Sequence, residues 1–226
     1  MELSKAVFAI GSLGTAAYGV VDATKAFGGG ISNRGFDDIR KVVSKFIPAS
    51  AGDSDGASAL SLQSALATLR ANWLNGMALS DQKAIAKALI KLNLTRPSAS
   101  GMAVATGVDA NVLMGISDKL ATGEALTQKE TDVFGRFDLL LNALLDQGYQ
   151  RADQRYRNSA KLLAIPVAVV LALLGARVVY GDGFTSADIL WKALIGGLLA
   201  TPLAPIAKDL SSAIQAGTKV TQSWKK

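Results

Sequence analysis

Two long apolar runs near the C-terminus limit what this chain can fold into more than any other feature. Residues 162–176 form an uninterrupted apolar run, and the letters VVY extend it past Arg177 to Tyr180. A second run covers residues 189–207, and a short polar segment that begins at Gly181 separates the two. A bilayer span needs about 20 residues, and the first run is long enough if the Arg177 side chain reaches the interface. The pattern predicts a transmembrane helical hairpin rather than a hairpin buried in a soluble domain.

Composition indicates an all-α integral membrane protein. Half of the 226 residues are apolar, the mean hydropathy is +0.28, and charged residues make up 19%, against about 25% in soluble domains. The apolar residues are mostly Ala, Leu, Val, Ile and Gly with few aromatics, a composition that suits closely packed helices.

A weaker apolar run at residues 6–21 predicts a Gly/Ala-rich N-terminal membrane helix. A signal peptide with Lys5 as its charged region is the alternative, and we expect the segment to be retained. Gly11, Thr15 and Gly19 recur every four residues and would align small side chains on one helix face. Such a face lets helix backbones approach closely in lipid, so we predict a helix-packing role for these three residues. The alternative is that the spacing only reflects a chain rich in Gly and Ala.

We expect four regions along the chain. They are the N-terminal membrane helix (1–27), an amphipathic helix with a linker (28–58), a cytoplasmic helical domain (59–160), and the transmembrane hairpin with an amphipathic C-terminal tail (161–226). Basic residues flank the middle regions and follow the last run, whereas the loop after Tyr180 has none. By the positive-inside rule the C-terminus is cytoplasmic, which predicts a multi-pass protein of a bacterial inner (cytoplasmic) membrane.

The middle regions read as helices. An amphipathic helix that ends at Pro48 precedes a linker of Gly, Ser, Asp and Ala, and it either lies at the bilayer interface or packs on the helical domain. Its apolar face consists of Phe36, Ile39, Val43, Phe46 and Ile47. We then predict helices at about 57–76, 81–93 and 109–121, with a loop at 95–107.

One long helix is predicted from about residue 128 to residue 180. Thr127 and Glu130 have capping-box spacing at its start. An apolar stripe follows at three- and four-residue steps, formed by Phe134, Phe137, Leu141, Leu144, Leu145, Gly148, Ala152 and Tyr156. If the hairpin folds near residue 183, the C-terminal tail would pack along this stripe.

Several enzyme classes are excluded because the chain has no cysteine and no histidine. Zinc sites of the usual kinds and Ser-His-Asp triads need those residues. The glycines at 28–30 lack nucleotide-loop spacing, and a dyad of Ser159 and Lys161 has nothing to shield or orient it. We therefore expect a protein that is not an enzyme and has no catalytic residues, cofactor or metal.

Basic side chains are the candidate contacts with lipid or a partner. Lys83, Lys87 and Lys91 form a stripe on one predicted helix, and Arg151 and Arg155 precede the membrane run. A solvated helix face is the alternative for the lysines. Nucleic acid is not expected, because basic residues only slightly outnumber acidic ones between residues 31 and 160 and topology explains their main cluster.

The outer turn of the hairpin carries an interfacial charge cluster of Arg177, Asp182, Asp188 and Lys192. In it we predict a pairing of Arg177 with Asp188, or at least a hydrated cluster that these charges share. These charges lie near the span ends, and the span centres are apolar. A pore usually needs polar groups in mid-membrane. The sequence therefore favours a non-enzymatic scaffold or anchor that contacts the bilayer and assembles with itself or with an unidentified protein complex. An oligomeric pore or channel is the alternative.

Overall fold

The computed structural model describes residues 2–47 and 61–223, and the side chains of residues 5–47 and 61–206. Within these residues the chain forms eight α-helices and no strand, so the all-α prediction is confirmed. The helices are α1 Glu2–Ala23, α2 Ser32–Val43, α3 Leu62–Leu74, α4 Leu79–Leu92, α5 Arg96–Thr106, α6 Ala110–Thr122, α7 Gln128–Tyr180 and α8 Ala187–Ser223. Short 3-10 helices follow α1 at Thr24–Ala26 and α7 at Gly181–Thr185. The predicted linker at residues 48–58 lies outside the described residues.

The chain divides into two compact units, and α7 contributes to both. The central unit comprises residues 32–156, and the terminal unit comprises residues 1–31 together with residues 157–226. The amphipathic helix α2 therefore belongs to the same unit as the helices that follow it. The first apolar helix belongs to the same unit as the two apolar runs near the C-terminus.

The apolar face of α2 lies in the core of the central unit. Phe36, Ile39 and Val43 are buried, and so are Phe46 and Ile47 just after the helix. All five belong to one hydrophobic cluster with residues of α3 to α7. Of the two alternatives for this helix, the structure supports packing on the helical domain, because a face fully covered by protein has no apolar surface left for a bilayer.

The predicted loop at residues 95–107 is wrong, because α5 forms there. Thr95 and Ser98 make a capping box, in which the Thr95 backbone N–H donates to the Ser98 hydroxyl at 2.9 Å. Gly107 ends the helix with a φ of +67°, a conformation that glycine adopts without strain. The start and stop signals were therefore in the sequence, but the many small residues between them hid the helical period.

The long helix is confirmed as α7, which covers Gln128–Tyr180 without interruption. Its capping box is present, with the Thr127 backbone N–H donating to Glu130 at 2.7 Å. The apolar stripe is buried at Phe137, Leu141 and Leu145. The stripe packs into the hydrophobic core of the central unit, and packing of the C-terminal tail along it stays a prediction. Side chains of the tail beyond residue 206 lie outside the described residues.

Candidate functional site

Three helices of the described chain are long and apolar enough to cross a membrane: Lys5–Ala26, Gln128–Thr185 and Ala187–Ile206. In the second, the apolar part is the predicted run that ends at Tyr180. Only 17–22% of each apolar segment is buried within the chain. Length and composition therefore indicate a membrane protein, as the sequence predicted.

Large apolar side chains project from the surface of these helices. They include Phe8, Val20, Leu162, Val170, Leu174, Val178, Trp191, Ile195, Leu198 and Ile206, each at least 44% exposed. Soluble proteins rarely expose contiguous apolar surface on this scale. Hydrocarbon chains of a bilayer would cover such a surface without the free-energy cost that water imposes.

The interior of the terminal unit is built from small residues. Its buried apolar side chains are Ala17, Val21, Ala160, Ala164, Ala168, Ala200 and Ala204. A Cβ atom placed on Gly14 of α1 would collide with the carbonyl group of Ala200 in α8. A Cβ atom on Gly197 of α8 would lie 2.6 Å from Cα of Val169 in α7. The backbones of α8 and its two neighbours therefore approach as closely as glycine allows, which maximises van der Waals contact where no hydrophobic effect assists.

The predicted packing stripe does not coincide with this contact. Gly11 is buried, but Thr15 and Gly19 are exposed, and open space surrounds the position of a Cβ on Gly19. The Thr15 hydroxyl donates to the carbonyl of Gly11 at 3.1 Å. Within the chain the close approach occurs at Gly14, so a role for the Gly11–Thr15–Gly19 stripe in contact with another chain stays a prediction.

The charged groups around the turn between α7 and α8 form two separate ion pairs. Arg177 donates to the carbonyl of Gly181 at 3.0 Å and lies 3.5 Å from the Asp182 carboxylate. Lys192 lies 2.6 Å from Asp188, four residues earlier on α8. The predicted direct pairing of Arg177 with Asp188 is therefore not formed, because each group has a nearer partner along the chain, whereas a shared hydrated cluster stays a prediction. Both pairs are solvent-exposed, so solvent screening leaves them little effect on stability.

The lysine stripe of α4 forms ion pairs with α7. Lys83 pairs with Asp146, while Lys87 and Lys91 lie 2.6 Å and 2.7 Å from the two oxygens of Asp138. The lysines therefore have ion-pair partners within the chain, and their contact with lipid or another protein stays a prediction. The three lysines are four residues apart on α4, and Asp138 and Asp146 are eight residues apart on α7, so the ammonium groups lie opposite the two carboxylates. The sequence could have shown this complementarity only if α4 and α7 had been known to be neighbours.

Asp138 is the centre of this interhelical ladder. Burial alone would raise the pKa of its carboxyl group, but hydrogen bonds from Lys87 and Lys91 outweigh burial and lower that pKa. The ammonium group of Lys91 also lies 5.0 Å from the ring centroid of Phe134, within the range of a cation–π interaction. The ladder joins α4 and α7 beside the apolar core.

The two predicted arginines of α7 differ. Arg155 lies 3.0 Å from Asp38 of α2, whose side chain is only 10% exposed. Arg155 therefore joins α7 to α2 within the central unit, and its contact with lipid or a partner stays a prediction. Arg151 is exposed, so its role in contact with lipid or a partner stays a prediction.

An open groove runs along α3 beside α2 and encloses about 770 Å³. We call it the α2–α3 groove, and it is lined by Phe36, Arg40, Leu62, Gln63, Leu66, Ala67, Arg70, Ala71, Leu74 and Asn75. Sequence reasoning missed this groove because it had assigned α2 and α3 to different regions. The only available signal was the four-residue repeat of apolar and small residues along α3.

Comparison of the chain with protein-family models, curated proteins and solved structures finds no match. Among the described residues, no group of three or more acidic side chains is arranged to hold a metal ion. The described residues form an all-helical chain with three candidate membrane spans and a second helical unit. The function proposed below therefore depends on how these two units are built.

Proposed function

We propose that this chain is a multi-pass scaffold of a bacterial inner membrane. In this proposal the terminal unit anchors the chain, and the central unit lies in the cytoplasm, where it assembles with copies of itself or tethers a larger protein complex. The observation that supports it most is the continuity of α7. Its first part carries Phe137 and Leu141 of the central core, and its last part is an apolar candidate span.

Such a helix couples an anchor to a domain without an intervening linker. An enzyme or a channel would need polar groups that converge on one site. In the central unit, charged residues instead form ion pairs between its own helices. Asp138 and Asp38 both act in this way. In the terminal unit, Arg177 and Lys192 have acidic neighbours at the exposed turn after α7. These features favour the scaffold over the pore.

The proposed topology is a hairpin of the last part of α7 and α8, with its turn outside and the C-terminus in the cytoplasm. The chain has no cysteine, so single cysteines report position cleanly. We expect Gly183→Cys in intact cells to react with an impermeant maleimide. Ala121→Cys, at an exposed position of α6, should react only after the cells are opened. Labelling of Ala121→Cys in intact cells would overturn this orientation.

The scaffold itself is tested by extraction and by ion flux. Light scattering of the detergent-extracted chain should give one discrete homo-oligomer, or a stoichiometric complex with another protein. Liposomes that contain the purified chain should hold an ion gradient as well as empty liposomes do. A monomer without a partner would contradict the scaffold. A leak whose ion selectivity changes in Arg177→Gln would show that the pore is correct.

A further inference from the structure

The α2–α3 groove has the shape of a site for a helix. Its apolar walls include Leu62, Leu66 and Leu74, which recur at four-residue or eight-residue steps and are only partly buried. They extend over the whole of α3, which has 13 residues and is about 20 Å long at 1.5 Å per residue. A groove of this length matches three to four turns of a second helix, that is, about 13 residues.

Small residues on the same helix would allow a close approach. Ala67 and Ala71 are one turn apart, both are exposed, and both line the groove. Leucines beside alanines give the alternation of ridges and gaps that helices use when they pack together. An amphipathic helix that lies in an apolar groove is a common mode of peptide recognition.

The charges that line the groove are basic. Arg40 lines it with a side chain that is 55% exposed and lies 3.6 Å from the Asp37 carboxylate of the same helix, and its guanidinium carbon lies 5.9 Å from the ring centroid of Phe36. The Arg70 guanidinium is positioned by the side-chain oxygen of Asn33, at 3.1 Å from Nη2. Both arginines line the groove, and none of the described residues that line it is acidic. A ligand with acidic groups beside an apolar face would complement this lining.

We propose that the α2–α3 groove binds an amphipathic helix with acidic edges from an unlike protein. A second copy of this chain is a poorer occupant, because its formal net charge of +6 opposes binding to a basic groove. The inference rests on the proposed scaffold function, to which it gives a class of partner. It is tested by direct binding, whereas the scaffold is tested by particle mass and ion flux, so either can fail alone.

The binding test uses two fluorescent model helices of about 18 residues. Both have the same leucine face; one has glutamates along its edges and the other has lysines. They are titrated by fluorescence anisotropy with the full chain in nanodiscs of zwitterionic lipid. We expect the glutamate peptide to bind at least about tenfold more tightly than the lysine peptide, since the groove charges attract one and repel the other.

Two matched variants test whether the peptide binds in the groove. Ala71→Glu adds a negative charge at an exposed position of the lining, and Ala121→Glu adds the same charge at an exposed position of α6. Both leave the terminal unit unchanged, so any partition of peptide into lipid is the same for both. We expect Ala71→Glu to weaken binding of the glutamate peptide about tenfold, and we expect Ala121→Glu to leave it unchanged.

Three outcomes would overturn the proposal. Equal affinity for the two peptides would show that charge does not select the ligand. Equal binding to both variants, or no binding above empty nanodiscs, would show that the groove does not bind a helix. Finally, displacement of the glutamate peptide by monomeric short-chain phosphatidylglycerol, with loss of lipid binding in Ala71→Glu, would identify an anionic lipid as the ligand.

Discussion

The two units of this chain distribute large and small apolar residues in opposite ways. The central unit buries its large side chains, such as Phe36, Phe137 and Tyr149, and pairs many of its charged groups between helices. The terminal unit buries alanines and glycines and exposes Val170, Trp191 and other large apolar groups. In water the hydrophobic effect drives large apolar groups inward, whereas in lipid close backbone packing takes its place. These distributions are what we expect of a chain whose terminal unit lies in lipid and whose central unit lies in water.

The largest effect is expected where the central core loses a large side chain. Phe137 is fully buried, so Phe137→Ala should destabilise the chain by about 3–5 kcal/mol through lost burial and a cavity. Leu139, on the same helix, is 70% exposed, and Leu139→Ala is the matched control. Urea unfolding measures both, followed by the fluorescence of Trp73 in a chain in which phenylalanine replaces Trp191 and Trp224. Equal losses in the two variants would contradict the assignment of this core.

Added side-chain volume, rather than removed side-chain volume, should destabilise the terminal unit. Gly14→Leu places a side chain against the Ala200 carbonyl, and we expect a loss of about 1–3 kcal/mol, typical of overpacking. Gly19→Leu adds the same group where nothing lies within 4 Å. Thermal unfolding in detergent should separate the two variants. If the predicted stripe mediates contact with another chain, Gly19→Leu will instead change the particle mass and leave the unfolding temperature unaltered.

The ion-pair ladder should contribute less than either core. Asp138→Asn keeps the size of the side chain but removes the negative charge that faces Lys87 and Lys91. These groups are partly exposed, so we expect a loss of about 1 kcal/mol, discounted for solvent screening. Asp132→Asn, near the start of the same helix, should change stability less. The loss should also diminish in high salt, and a loss that is independent of salt would argue against an electrostatic role.

The smallest effect is expected in the pH dependence of stability, through one carboxylate. A hydrogen bond from Lys119, followed by hydrogen bonds from the backbone and side chain of Thr127, lowers the pKa of Glu130 from 4.5 to about 2. A lowered pKa in the folded state means that this carboxylate stabilises the fold above about pH 4.5 and that the contribution is lost as the pH falls towards 2. The difference in unfolding midpoint between the wild type and Glu130→Gln should therefore shrink as the pH is lowered through this range. A difference that stays constant would contradict the shift.

The elements that the sequence predicted well are those with a strong local signal. The helix α7 has an apolar stripe, a capping box and a long apolar run, and all three indicate one long helix. The apolar face of α2 was also visible, but its location was not. Phe36 and Ile39 would suit a bilayer interface or a protein core equally well, and only packing with distant helices decides between them.

The parts that sequence reasoning missed depend on which helices are neighbours. Lys87 seemed a solvent- or lipid-facing group because its partner, Asp138, lies on a different helix far along the chain. Gly14 was overlooked because Gly11, Thr15 and Gly19 make a regular series, whereas the residue that meets α8 is defined by the position of Ala200. Periodicity identifies faces, but the choice of partner is a property of the tertiary structure.

The account depends most on the claim that the exposed apolar surface of the terminal unit faces lipid. Val170 and Leu139 test it on a single helix, because both are exposed apolar residues of α7 and each lies in a different unit. A nitroxide attached to a cysteine at either position reports its collision rates with oxygen and with a water-soluble nickel complex when the chain is in liposomes. We predict that the Val170→Cys label collides mainly with oxygen, which concentrates in the bilayer, and that the Leu139→Cys label collides mainly with nickel. A Val170→Cys label as accessible to nickel as the Leu139→Cys label would contradict the membrane anchor.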